Sequence, residues 1–149
     1  MNVRVRRYVV FLILAALYAG SASAGDLDKG FARAVAEGDI NKLKTLIGQG
    51  ADVNAANKEG ETALMVASLE GRLDVAKLLV EKGAEVNAKD GVGANALHYA
   101  AMGGSLDVIK YLVEKGADAH TRTEYGDTAG SISEMKGQRD AVEFLKAKE

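Results

Sequence analysis

The chain has 149 residues, of which 48% are hydrophobic and 27% charged, with a formal net charge of −2, a composition of one ordinary globular domain and not of a disordered or wholly membrane-embedded chain. It holds no cysteine, no tryptophan and no proline, which excludes disulfides, zinc–thiolate sites and a cysteine nucleophile and leaves stability to packing. The near-neutral, mildly acidic balance argues against nucleic acid and anionic membranes as partners, since both call for clustered Lys and Arg, and Lys77, Lys82, Lys110 and Lys115 sit among glutamates.

The first element in the chain differs from the rest. Arg4, Arg6 and Arg7 precede an uncharged apolar stretch from Tyr8 to Ala19, then small residues ending Ala22-Ser23-Ala24. A charged start, a short apolar core and a small-x-small site predict a secretory signal peptide over residues 1–24, cleaved after Ala24. The apolar core is shorter than the roughly 20 residues of a membrane span, and no cysteine follows it for lipid attachment. The expected product, residues 25–149, has lost three arginines and no acidic residue, which takes the net charge to −5. It is expected in the periplasm or outside a bacterial cell, off the membrane and monomeric.

From there the chain repeats itself at an offset of 33: Gly60, Gly93 and Gly126; Leu64 and Leu97; Gly71, Gly104 and Gly137; Gly50, Gly83 and Gly116. The stretch Asn57 to Ala67 returns as Asp90 to Ala100, and Gly50-Ala51-Asp52-Val53-Asn54-Ala55 returns as Gly83-Ala84-Glu85-Val86-Asn87-Ala88 and as Gly116-Ala117-Asp118-Ala119-His120. Four units follow, about 26–56, 57–89, 90–122 and 123–149. Thr62, Asn95 and Thr128 are helix N-capping types placed before apolar-periodic runs, so each unit opens with a capped short helix. Gly71, Gly104 and Gly137 break that helix, and a second begins at Leu73-Asp74-Val75, Leu106-Asp107-Val108 or Asp140-Ala141-Val142, its aspartate where the helix dipole favours negative charge. Gly83 and Gly116 end it, and the chain then turns back as a hairpin finger.

This period, with its Thr-x-Leu-His-like helix start and Gly-Ala-x-Val-Asn-Ala exit, resembles the ankyrin repeat from Asp26 to Glu149. It departs from the family in one regular way: Ala63, Ala96 and Ala129 stand where proline is usual, which a strong helix former tolerates. The resemblance implies an all-α ankyrin-repeat solenoid of four helix-turn-helix units with short β-hairpin fingers. Its expected core runs through Leu43, Leu46, Ile47, Leu64, Leu78, Leu79, Leu97, Ile109, Leu112, Val142 and Leu145, with polar end units that carry Arg33, Glu37, Lys42 and Lys44 at one end and Gly130 at the other.

No catalytic constellation stands out. The resemblance gives His98 a structural hydrogen bond to a neighbouring repeat, and His120 replaces an asparagine in a loop. Asp26 with Asp28, or Glu59 with Glu61, read as solvated loop charges more readily than as an acid–base pair for a cell-wall hydrolase. No phosphate loop, nucleophile elbow or metal-ligand spacing appears, and no cofactor is expected. A haem- or metal-handling protein that uses His98, Tyr99, Met102 or Tyr125 is the alternative reading.

In the family, partners are usually held on the concave side by the fingers and the exposed faces of the first helices. Two positions per first helix are free of the fold pattern and read Val66, Tyr99 and Ile132 in one row and Leu69, Met102 and Met135 in the other. An exposed apolar strip of this kind marks a protein interface. The finger residues Lys58, Glu59, Glu61, Val92, Glu124, Tyr125 and Asp127 are expected as its polar rim. The expectation is a non-enzymatic adaptor that grips one protein partner. Resemblance to exported bacterial ankyrin proteins suggests either an immunity protein against an effector toxin or an accessory protein to a neighbouring periplasmic enzyme such as a catalase.

Overall fold

The computed structural model describes residues 29–148; the segment read as a signal peptide, Asp26 and Asp28 lie outside the described residues. Among the described residues the chain forms helices and turns, in the order α1 (Lys29–Glu37), α2 (Ile40–Gly48), α3 (Ala63–Leu69), α4 (Leu73–Glu81), α5 (Ala96–Gly103), α6 (Leu106–Glu114), α7 (Ala129–Met135) and α8 (Arg139–Lys146). The helices pack as antiparallel pairs. α1, α3, α5 and α7 stack in one layer, each on the next, and α2, α4, α6 and α8 stack in a second. None of these helices is long and apolar enough to cross a membrane.

Each first-layer helix after α1 starts with the same local chemistry. The side chain of Thr62, Asn95 or Thr128 accepts a backbone N–H one turn on, from Met65, His98 and Ser131 respectively. The reciprocal bond closes a capping box in every case, with three different acceptors one period apart. Thr62 N–H meets Met65 Sδ at 3.4 Å, Asn95 N–H meets His98 Nδ1 at 3.2 Å, and Thr128 N–H meets Ser131 Oγ at 3.0 Å. Gly71 and Gly104, with φ of 66° and 79°, then turn the chain in the left-handed region before the second helix. Asp74, Asp107 and Asp140 all fall in the first turn of that second helix.

The core follows columns one period apart. Phe31, Leu64 and Leu97 form one; Leu79, Leu112 and Leu145 form another; and Ala34, Ala67 and Ala100 keep the first layer close. Leu46 and Val142, expected inside, are half-buried, although their counterparts Leu79 and Ile109 are fully buried. Both belong to end units, which have a neighbour on one side only. Ile47 is half-buried as well, while Phe31, Val35, Val75 and Val108 join the core.

The fingers are tight turns and not extended hairpins, with one isolated bridge, Ala56 to Thr62, among the described residues. Each turn is held by a side chain at its base. Asn57 Oδ1 accepts from the N–H groups of Glu59 and Glu61, Asp90 Oδ1 from those of Val92 and Ala94, and Thr123 Oγ1 from those of Tyr125 and Asp127. Consecutive fingers are tied through the backbone, Gly91 N–H to Glu59 O at 2.8 Å and Glu124 N–H to Val92 O at 2.9 Å. On the exit loops, Asn54 spans Gly83 O and Glu85 N–H, and Asn87 spans Gly116 O and Asp118 N–H. The exit-loop bonds fix the first unit to the second and the second to the third, and the finger bonds fix the second to the third and the third to the fourth.

Candidate functional site

The fingers and the first-layer helices present the residues expected to meet a partner, and the structure divides them. Met135 is 48% exposed and Tyr125 46%, the two large apolar side chains most open to solvent among the described residues. Val66, Leu69, Met102 and Val92 are half-buried against the core. Lys58 and Glu124 are exposed, and Glu59 and Asp127 half-buried. Tyr99 is 2% exposed, Ile132 5% and Glu61 6%. The apolar strip is therefore narrower than six residues: the row of Val66, Tyr99 and Ile132 turns inward, and Glu61 is no rim charge.

A polar cluster accounts for the inward turn at Tyr99. Its hydroxyl lies 2.9 Å from Glu61 Oε1 and 2.8 Å from Asp90 Oδ2, so that α5 is pinned beneath the second and third fingers at once. Glu61 Oε2 accepts from Asn57 Nδ2 at 2.7 Å, which anchors the carboxyl to the turn of its own finger. Burial, followed by the charges of Glu61 and Asp90, pushes the Tyr99 phenol far above its usual range, so it keeps its proton at any physiological pH. The sequence carried a signal for this cluster that periodicity exposes. Positions 66, 99 and 132 read Val, Tyr and Ile, and positions 61, 94 and 127 read Glu, Ala and Asp, so the one hydroxyl in an apolar column falls beside a carboxyl of the preceding finger.

His98 is buried on α5, and its Nε2 lies 3.2 Å from Asp127 O in the following unit, the inter-repeat hydrogen bond that the family resemblance implies. Nδ1 accepts from Asn95 N–H and also lies 2.7 Å from Asn95 Oδ1. Burial lowers the pKa of the ring, only partly offset by the Asp127 and Thr121 backbone and by the nearby acids. Both ring nitrogens are thus engaged by structural partners, an arrangement that holds two units together and not one poised for proton transfer to a substrate. His120 lies exposed on its loop. Among the described residues no group of three or more His, Cys, Asp or Glu side chains is arranged to hold a metal ion.

The outer layer carries a second periodic feature that sequence reading passed over. Lys77 on α4 and Lys115 both lie over the ring of Tyr111 on α6, at 5.9 and 5.7 Å, and Lys110 and Lys148 lie over that of Phe144 on α8, at 5.9 and 5.8 Å. Each ring is flanked by one ammonium from the preceding unit and one from its own, which ties successive outer helices across the solvent face.

Comparison with known families agrees with the helix pairs. A model of ankyrin repeats in many copies matches residues 31–80 and 64–113, and one of ankyrin repeats in three copies matches residues 90–149. A search among curated proteins finds no significant match. The matched stretches together run from residue 31 to residue 149, over all the paired helices, the repeated capping boxes and the finger-to-finger bonds, and the chain belongs to the ankyrin-repeat family.

Proposed function

We propose that this protein is an exported adaptor that holds one folded protein partner against its fingers and first-layer helices. Ankyrin repeats make the chain a protein-binding module, and proteins of this kind are in general scaffolds without catalytic activity. The observation that carries the choice of surface is the exposure of Met135 and Tyr125, at 48% and 46%, with the half-buried Met102 and Leu69 in the positions equivalent to Met135 and the half-buried Val92 in that equivalent to Tyr125. Methionine and tyrosine supply adaptable and rigid contact area respectively. The tied fingers offer a surface already ordered before binding, which lowers the entropy cost of association.

Export rests on the signal-peptide pattern of the first 24 residues, and the role is either neutralisation of a toxin or support of a neighbouring periplasmic enzyme. The test is affinity capture from the native periplasm with the wild type and with a Tyr125→Ala, Met135→Glu double variant, the bound protein being identified by mass spectrometry. Both side chains are solvent-facing, so the variant keeps its helical circular dichroism. Loss of a single specific partner by at least tenfold supports the proposed face, and equal capture by both proteins places the interface elsewhere. Tyr99, buried beneath the fingers, is unsuited to this test, because its removal opens the core.

A further inference from the structure

Besides Met1, the chain has three methionines, and the stack places them in three different surroundings. Met65 on α3 is 1% exposed, and its Sδ accepts the Thr62 N–H at 3.4 Å in the capping box. Met102 on α5 is half-buried against the core. Met135, at the end of α7, is 48% exposed. Positions 69, 102 and 135 form one column and read Leu, Met and Met, so two thioethers follow one another along the first layer. Their exposures differ because α5 packs between α3 and α7, whereas α7 has α5 alone as a first-layer neighbour among the described residues.

A hydroperoxide oxidises a thioether in one two-electron step. A sulfur lone pair attacks the nearer peroxide oxygen, and the O–O bond breaks as the S–O bond forms. The proton on the transferred oxygen passes to the departing hydroxide, which leaves as water, so sulfur is oxidised to the sulfoxide and the peroxide is reduced. The step needs the oxidant at the lone pair, and its product carries a polar oxygen that is costly to hold away from water. At Met135 solvent supplies the access and the hydration with the fold intact. At Met65 the sulfur is already a hydrogen-bond acceptor inside the core, the oxidant reaches it only when α3 leaves its packing, and the added oxygen would overfill the site. The chain has no cysteine to compete for the oxidant, so its thioethers are its only sulfur targets.

We propose that Met135 is a sulfoxidation site of the folded protein, taken by hydroperoxides ahead of Met102 and far ahead of Met65, and that the helix stack tolerates its oxidation. The modified side chain lies on the face assigned to the partner, where the sulfoxide turns a flexible apolar contact into a polar one and weakens docking. That consequence rests on the adaptor reading. The site itself rests on the graded burial of the three thioethers.

The experiment treats the purified protein with hydrogen peroxide for increasing times, quenches with free methionine, and follows one-oxygen adducts by mass spectrometry after trypsin. Cleavage after Lys and Arg puts the three methionines on separate peptides, 59–72, 90–110 and 123–136. The expected result is oxidation of Met135 about tenfold or more faster than that of Met65, with Met102 between them, and matching rates for all three in concentrated urea, where access is equal. Equal rates in the native protein, or Met102 or Met65 oxidised first, overturns the proposal. Protein oxidised at Met135 alone is expected to keep the urea midpoint of the untreated protein, and a lowered midpoint overturns the claim that the fold tolerates the change. In Met135→Leu the early adduct is expected to disappear, and its persistence overturns the assignment. None of these measurements needs a partner, so their failure is distinct from failure of the adaptor reading.

Discussion

At position 98 a single imidazole does the work of a cap and of a tie between units, and its burial gives it a measurable pH signature. The folded protein resists protonation there, since burial lowers its pKa, while the unfolded chain takes up a proton near the ordinary histidine value of about 6.5. The unfolded state thus binds more protons as pH falls through that value. The stability that His98 contributes is complete above about pH 6.5 and drains away on acidification. Urea unfolding of the wild type and of His98→Gln between pH 7.5 and pH 5 is expected to show the wild type losing ground to the variant, and parallel curves would mean that the ring accepts a proton without cost. Position 99 teaches a different lesson. A tyrosine in the row of free positions reads as surface, and it is interior because two carboxyls on neighbouring fingers reach over it.

Among the elements, the capping boxes and the glycine breaks were legible because they depend on residues three or four apart in the chain. Thr62, Asn95 and Thr128 cap as their types predict, and no partner from another unit is needed for that bond. The close approach of helices was not legible in this way. Gly103, at the C-terminal end of α5, replaces Glu70 and precedes Lys136 in the period, and a Cβ built there would run into the carbonyl oxygen of Leu69 on α3. Helix propensity favours alanine over glycine by about 1 kcal/mol, whereas overpacking against a fixed backbone costs about 1–3 kcal/mol. Because the added Cβ meets fixed backbone, Gly103→Ala is therefore expected to destabilise the protein by up to roughly 2 kcal/mol, the residual once the propensity gain is offset, as read by chemical denaturation. A stabilised variant would show that α3 and α5 can part without loss.

Taken as a stack, the molecule is held by contacts between neighbouring units, and its ends must be made fit for water. Glu134 and Lys146 in the fourth unit occupy the positions of Ala101 and Val113 in the third, and their side chains meet at 3.5 Å with both more than half exposed. A surface pair of this kind adds about 0–1 kcal/mol at most, so its value is in wetting a face that would otherwise be apolar. Deleting residues 123–149 uncovers the faces of α5 and α6 on which α7 and α8 lie. The truncated protein is expected to aggregate on size-exclusion chromatography with light scattering, since terminal repeats keep stacks soluble. A soluble, monomeric product would show that the third unit is an adequate end by itself.

By itself the sequence determined the repeat, the order of the helices, their caps and breaks, and most of the core, because a period of 33 writes the same local instructions several times and packing in a stack is nearest-neighbour packing. It also placed Met135 and Tyr125 on the outside, where side chains without a repeat-wide role remain in solvent. Only the tertiary structure decided which free positions are free. Tyr99, Glu61 and Ile132 are buried, and Glu61, Tyr99 and Asp90 meet, because two units brought side by side create an environment that neither contains. Burial of a finger residue depends on the side chain that the next unit places beneath it, and that distance, 38 residues along the chain for Glu61 and Tyr99, lies beyond any local rule.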